Sequence, residues 1–213
     1  MGFRLIVLRH GETDWNQESR YQGCIDTRLS REGRAQATAV AEALSGRSLT
    51  AVYSSPLTRA RETAEAIARP HGLAVRAEAA FNEICHGAWE GLKVEEVQAA
   101  FPDLYAKWRE APQEVTMPEG ESLAQVEERL LDQLARLQSL HDGETVCLVT
   151  HDVPHRLLIL DALGLPGDRL WAISLSAAGL SEIEYGGDWT TLHRMNSVGH
   201  LGEVVASRPH RAC

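Results

Sequence analysis

Leu5-Ile6-Val7-Leu8-Arg9-His10-Gly11-Glu12-Thr13 carries four apolar residues in an unbroken run straight into a cation, an imidazole and a glycine. An uninterrupted apolar run that stops at Gly reads as a parallel strand, covered on both faces and ending in a tight turn. The ends of such strands are where open α/β sheets place their active sites. A neutral imidazole held there can attack phosphorus, while a neighbouring guanidinium grips two phosphate oxygens at once, which lysine does not reproduce. On this stretch alone a structural histidine that merely hydrogen-bonds is also open, and the rest of the chain decides between the two.

The neighbouring segments repeat the strand-then-helix alternation. A strand at Phe3–Leu8 is followed by a helix from about Ser30 to Leu44, a strand near Ala51–Tyr53 and a helix from about Pro56 to Ala68, with Ser55 as N-cap and Pro56 in its first turn. Ser122-Leu123-Ala124-Gln125 is a capping box, continued by the stripe Leu123, Val126, Leu130, Leu134 and Leu137. A strand at Thr145–Val149 leads into a helix opening at Val153-Pro154 and stopped by Gly164 and Pro166. Leu180–Glu184 and Thr191–Met195 read as antiparallel edge strands. The expected architecture is therefore α/β, a three-layer sandwich with a mostly parallel sheet. Residues 1–213 are expected to form one domain, with a small insertion at about 88–120, rich in Glu, Trp and Pro, over one end of the sheet.

With 213 residues, 44% of them hydrophobic, the chain can bury a sizeable core. Its net charge of −9 argues against a general binder of nucleic acid or anionic membrane, so any phosphate pocket must be a local basic patch. No apolar run reaches the roughly 18 residues of a membrane span, and a cytoplasmic location is expected. Cys24, Cys85, Cys147 and Cys213 show no CxxC pairing, so neither a disulfide nor a zinc knuckle is expected. The sequence leaves monomer and homodimer both open.

Three further segments carry chemistry. In Ser54-Ser55-Pro56-Leu57-Thr58-Arg59-Ala60, Arg59 falls in the first turn of a helix that follows a strand. The free N–H groups and dipole of that terminus already attract anions, and Arg59 adds a charged fork; Arg61 points elsewhere. An exposed salt bridge to Glu62 is the alternative use of Arg59. Val149-Thr150-His151-Asp152 ends a second strand in histidine, and a protonated His151 can hold the equatorial oxygens of a phosphoryl group in transfer. His151 and His155 as a metal pair is the weaker alternative, since Pro154 falls between them. In Asn82-Glu83-Ile84-Cys85-His86-Gly87-Ala88-Trp89-Glu90-Gly91, Glu83 is the candidate general acid and Glu90 its rival.

Arg9-His10-Gly11-Glu12-Thr13 with Asn16, the Ser54–Ala60 segment, Glu83 with Gly87–Gly91, and Val149-Thr150-His151 together resemble the histidine phosphatase superfamily, the phosphoglycerate mutase-like proteins. The match spans most of the chain. It implies a nucleophile at His10, a phosphate pocket of Arg9, Arg59, His151 and Asn16, a proton donor at Glu83, and no cofactor or metal. The superfamily usually has glycine where this chain has Asp152; a carboxylate there either weakens phosphate binding or hydrogen-bonds away from the pocket. Arg20-Tyr21-Gln22-Gly23, Val94–Val97, Gly120–Ala124, Val153–Arg156 and His200–Glu203 are similar to the bacterial metal-independent phosphoserine phosphatases. That similarity implies a small phosphorylated metabolite as partner, L-phosphoserine first, with Gln22, Gly23, His86 and a tail histidine, His210, on the substrate side. Other sugar or nucleoside phosphates, a mutase reaction and simple phospho-ligand binding are the alternatives; mutases of this type resemble a longer chain, and binding alone needs no proton donor.

Overall fold

Phe3–Arg9 forms β1, the strand on which the fold is built, and its side chains are buried on both faces of a six-stranded sheet. Leu5 and Val7 face one layer with Val146, Leu148 and Tyr53, while Ile6 and Leu8 face the other with Val52, Cys147 and Val149. Each such side chain contributes on the order of 1.5–3 kcal/mol by leaving water, which is why an unbroken apolar run settles only in a doubly covered strand. β1 pairs in parallel with β4 (Thr145–Thr150), Ile6 opposite Cys147, and β4 in turn with β2 (Ala51–Ser54). The described residues are 2–202 of this computed structural model.

The full order is β3-β2-β4-β1-β5-β6, with β3 (Val75–Ala77) parallel to β2, and β5 (Leu180–Tyr185) and β6 (Thr190–Ser197) antiparallel beyond β1. Thus β5 is an interior strand, against the expectation of two edge strands; only β6 lies at that border. β3 escapes sequence reading because Val-Arg-Ala is too short to show a period. Its pairing makes β2 interior as well.

α2 (Arg31–Leu44) and α3 (Thr58–Ala68) cover the face that holds Ile6 and Leu8, through Val40, Leu44, Ala60, Ala64 and Ile67. α6 (Leu123–Leu140) and α7 (Asp152–Leu163) cover the opposite face, α6 by the stripe read from its capping box. α3 departs from expectation at its start. It begins at Thr58, and its cap comes from Asp26, whose carboxylate accepts from Thr58 N at 2.6 Å and Thr58 Oγ1 at 2.7 Å; Ser55 Oγ instead donates to Asn82 Oδ1 at 2.7 Å. A cap supplied from 32 residues away has no local signature.

Residues 87–120 hold α4 (Val94–Ala100), α5 (Pro102–Glu110) and two 3-10 turns, and bury Trp89 and Trp108 completely. Trp89 stacks on His86 and meets Tyr21 edge to face, which joins this segment to the residues after the short helix α1 (Asp14–Gln17). No helix among the described residues is long and apolar enough to cross a membrane.

Candidate active site

Because β1, β4 and β2 run parallel, their C-terminal ends open on one edge of the sheet, and the chain leaves all three there. His10 N donates to Thr150 O at 2.9 Å and Ser55 N to Val149 O at 3.1 Å, so the turns after the strands are stitched together. Gly11 N donates to Thr63 Oγ1 at 3.1 Å, fixing the first turn to α3. Gly11 has no room for a larger residue: a Cβ would stand 2.5 Å from Gly33 O. Arg9, His10, Asn16, Arg20, Gln22, Gly23, Arg59, Glu83 and His86 line one cleft.

The ring of His10 is oriented by a single strong contact. Nδ1 lies 2.7 Å from Gly11 O, and a carbonyl can only accept, so Nδ1 carries the proton and Nε2 keeps its lone pair. Burial, with Arg59 and Arg9 adding repulsion, holds His10 well below the ordinary imidazole range, so the ring is neutral and nucleophilic. The His151 ring lies 5.0 Å away, edge to face at 63°. Both His151 nitrogens are buried with no hydrogen-bond partner among the described residues, which is costly unless a ligand supplies one. Burial and then Arg59, His10 and Arg9 depress His151 too. Those surroundings favour neutral His151, whereas the sequence reading has it protonated.

Arg59 donates Nη1 to Ile25 O at 2.8 Å and Nη2 to Gly23 O at 2.7 Å, so the loop after α1, not Glu62, holds its fork. Burial lowers Arg59 to about 10, still fully charged at neutral pH. Arg61 pairs outside with Glu65 at 3.6 Å. Arg9 Nη1 pairs with Asp152 Oδ1 at 3.2 Å, and Asp152 Oδ2 accepts from Arg156 Nε at 2.6 Å.

Glu83 and Glu90 have opposite surroundings. Glu83 caps α7 from outside: Oε2 accepts from Asp152 N at 3.0 Å, and Oε1 from Val153 N at 3.2 Å and Ile84 N at 3.0 Å. Pro154 follows with no N–H to offer, so these are the free donors of that helix terminus. Burial first, then the Asp152 carboxylate, pushes Glu83 up against the pull of Ile84 N and the two arginines. Oε2, with one N–H bond, can hold a proton and present it to the cleft. Glu90 Oε1 accepts from Cys24 N and His86 N, both at 2.9 Å, and so clamps two loops.

Those two loops are also joined covalently. Cys24 and Cys85, with Cα atoms 4.9 Å apart, form a disulfide, which overturns the expectation of none. Cysteine spacing could not show it: the pair is 61 residues apart, and the fold brings it together through the Glu90 clamp. Glu121 lies beside the pair, but its carboxylate is taken by Arg129 and Cys85 N. Cys147 is free and buried, pushed up to about 12 by burial.

Among the residues expected to meet substrate, Asn16 Oδ1 accepts from Thr13 N at 2.9 Å and Thr13 Oγ1 at 3.0 Å, leaving its amide N–H groups as the donors it can offer. Gln22 Oε1 accepts from Thr27 Oγ1 at 2.6 Å and, 3.0 Å from Thr13 Oγ1, shares that hydroxyl's one proton with Asn16 Oδ1. Gly23 sits at φ +51°, where a Cβ would meet Glu90 Oε1 at 2.1 Å, so the loop needs glycine there. His86 is fully buried among Tyr21, Trp89 and Trp108, with neither ring nitrogen partnered among the described residues, and burial lowers it to about 3. His155 turns away from the cleft to Ser181 Oγ at 2.9 Å, so it does not join His151 around a metal. His210 lies outside the described residues.

A nucleophilic imidazole between two guanidiniums and a second imidazole, with a carboxyl group opposite, is an arrangement for phosphoryl transfer. The family comparison agrees, since residues 5–198 match the histidine phosphatase superfamily (branch 1). The chain belongs to that superfamily. Phosphoserine phosphatase 1 of Hydrogenobacter thermophilus is 38% identical to this histidine phosphatase over 209 residues, covering 98% of this chain and 99% of the relative. The solved structure of YhfR from Bacillus stearothermophilus superposes with a TM-score of 0.89 at 31% identity, covering 93% of this chain and 99% of its own. A mycobacterial glucosyl-3-phosphoglycerate phosphatase in complex with VO3 superposes with a TM-score of 0.85 at 33% identity, covering 92% and 99%. Fold and enzyme class are thus those of a phosphoglycerate mutase-like phosphatase.

Proposed function

We propose that this phosphatase cleaves phosphomonoesters in two steps through a phosphohistidine at His10, and that L-phosphoserine is its preferred substrate. His10 Nε2 attacks phosphorus in line, the P–O ester bond breaks, and Glu83 gives its proton to the departing oxygen. Arg9, Arg59, His151 and the Asn16 amide carry the negative charge on the equatorial oxygens. Water then attacks the phosphorus, Glu83 takes its proton, the N–P bond breaks and inorganic phosphate leaves, returning His10 to its neutral form. None of these steps calls for a metal.

The observation that carries the reading is the Nδ1 hydrogen bond to Gly11 O, which leaves the other nitrogen as a base inside a cationic pocket. A structural histidine has both ring nitrogens satisfied; His10 lines the cleft with Nδ1 bonded and a lone pair on Nε2. The substrate preference rests on His86, a buried donor in the same cleft with no partner among the described residues, and on the full-length relative named for phosphoserine. The carboxylate of phosphoserine can pair with that donor. Phosphate release from phosphoserine, phosphoethanolamine, 3-phosphoglycerate, glucosyl-3-phosphoglycerate and p-nitrophenyl phosphate tests it. Phosphoserine should lead; equal rates on all five would leave a broad phosphatase, and isomerised phosphoglycerate without free phosphate would make the chain a mutase.

A further inference from the structure

Asp152 occupies the first turn of α7, where a carboxylate ordinarily does no more than complement the helix dipole in water. Here it is 1% exposed and spans two buried guanidiniums. Its stronger bond, 2.6 Å, goes to Arg156 Nε. Arg156 is itself anchored from behind, with Nη1 donating to the Leu170 and Ile173 carbonyls and its guanidinium 5.1 Å from the centre of the Trp171 ring. The carboxylate is therefore fixed in place, and its second oxygen reaches Arg9, which lines the cleft.

We propose that Asp152 is a positioning residue that limits the affinity of the pocket for inorganic phosphate: it pins Arg9 from behind, and its charge offsets part of the cationic field that a phosphate dianion meets. The inference rests on the phosphatase reading of the cleft. In a site this dry, opposite charges attract strongly, and a pocket of uncompensated arginines binds the product as tightly as it stabilises the transition state. With Asp152 fixed against Arg9, a bound phosphate shares that guanidinium with the carboxylate. Product release then speeds up at the cost of some ground-state affinity, while the in-line geometry stays held because Arg9 cannot swing away. The same residue holds Glu83 through its backbone, Asp152 N to Glu83 Oε2, so the Arg9 guanidinium and the proposed proton donor are tied to one turn of helix.

The test is the dissociation constant of inorganic phosphate, measured by calorimetry at one pH on the full chain, with far-UV circular dichroism as the fold control. Asp152→Asn keeps shape and the backbone bond to Glu83 but removes the charge; phosphate should bind about ten-fold tighter, and phosphate should become a correspondingly stronger product inhibitor. A purely structural role predicts the opposite sign, because a loosened Arg9 binds phosphate less well. Unchanged or weaker binding by folded Asp152→Asn overturns the proposal. Should that variant fail to fold, Asp152→Ser decides: it also removes the charge, so phosphate must bind several-fold more tightly, and unchanged or weaker binding is fatal. Because calorimetry needs no turnover, failure of phosphoserine hydrolysis leaves this outcome readable, whereas a wild-type chain that binds no phosphate overturns both readings.

Discussion

The two walls of the cleft are built on different principles. The wall proposed to take phosphate, Arg9, His10, Arg59 and His151, sits on the ends of β1 and β4 and the first turn of α3. The wall proposed to take the rest of the substrate, Gln22, Gly23 and His86, sits on loops held by the Glu90 clamp, the Cys24–Cys85 disulfide and an aromatic cluster with Trp89 and Trp108. Strand ends are fixed by the sheet, whose register tolerates no slip, so chemistry placed there is rigid. Loops clamped side chain by side chain can be rebuilt without disturbing the sheet, which is where a substrate preference can change while the reaction stays the same.

The sharpest way to break the contrast is His10→Ala. Without Nε2 no covalent intermediate forms, and turnover of every phosphomonoester should fall by about 10⁴-fold or more, whatever the leaving group. Labelling of the wild type, quenched in alkaline detergent, should find base-stable, acid-labile phosphate on His10. A variant that keeps a tenth of its activity would place the nucleophile elsewhere.

That phosphate wall was also the legible one. Leu5–Thr13, the helix start carrying Arg59 and the strand end at His151 each announce themselves by local pattern, since apolar run, turn residue and charged residue follow one another in the chain. The substrate wall is legible only in part. His86 carries no signal beyond a resemblance, because its aromatic surroundings come from Tyr21 and Trp108, far away in sequence. The disulfide and the Asp26 cap of α3 were invisible for the same reason: each joins residues whose proximity exists only after folding. Glu83 shows the middle case, since its loop was readable but its three N–H partners, two of them on α7, were not.

Acidity sharpens the comparison next. Glu83 must be protonated for the first step, and its value is raised by burial and Asp152, so kcat/KM should fall as pH rises past that raised value. His10 is depressed, so its nucleophile survives below pH 6.5. Stability runs the other way. His86 and His155, near 3 in the folded chain against an ordinary 6.5, and His10 and His151, also depressed, stay neutral where the unfolded chain binds protons. The unfolding free energy should therefore be intact above pH 6.5 and decline as pH falls below it, by on the order of 1 kcal/mol per pH unit for each histidine. Denaturant melts at pH 7 and 5 read this directly. Equal stability would mean that these rings are protonated, or solvated, in the native state.

His86→Ala should act on one wall only. Losing a buried donor for the substrate carboxylate costs roughly 1–3 kcal/mol, so KM for phosphoserine should rise about ten-fold with a smaller change in kcat. Phosphoethanolamine, which lacks the carboxylate, should hardly notice. A matching loss on both substrates would assign His86 to packing among Trp89, Tyr21 and Trp108.

The smallest expected effect on turnover belongs to the disulfide, because it reinforces a clamp that Glu90 already supplies through Cys24 N and His86 N. Closing a loop between residues 61 apart stabilises the folded chain by roughly 2–4 kcal/mol, chiefly by restricting the unfolded one. Dithiothreitol should therefore lower Tm by several degrees while kcat on p-nitrophenyl phosphate, which exercises only the phosphate wall, stays within about two-fold. KM for phosphoserine should rise modestly, as Gly23 and His86 lose one of their two ties. Alkylation of denatured, unreduced protein should label Cys147 and Cys213 but spare Cys24 and Cys85. Should all four label, the pair is a dithiol held close by the Glu90 clamp alone, and the two loops owe their alignment to hydrogen bonds and aromatic packing.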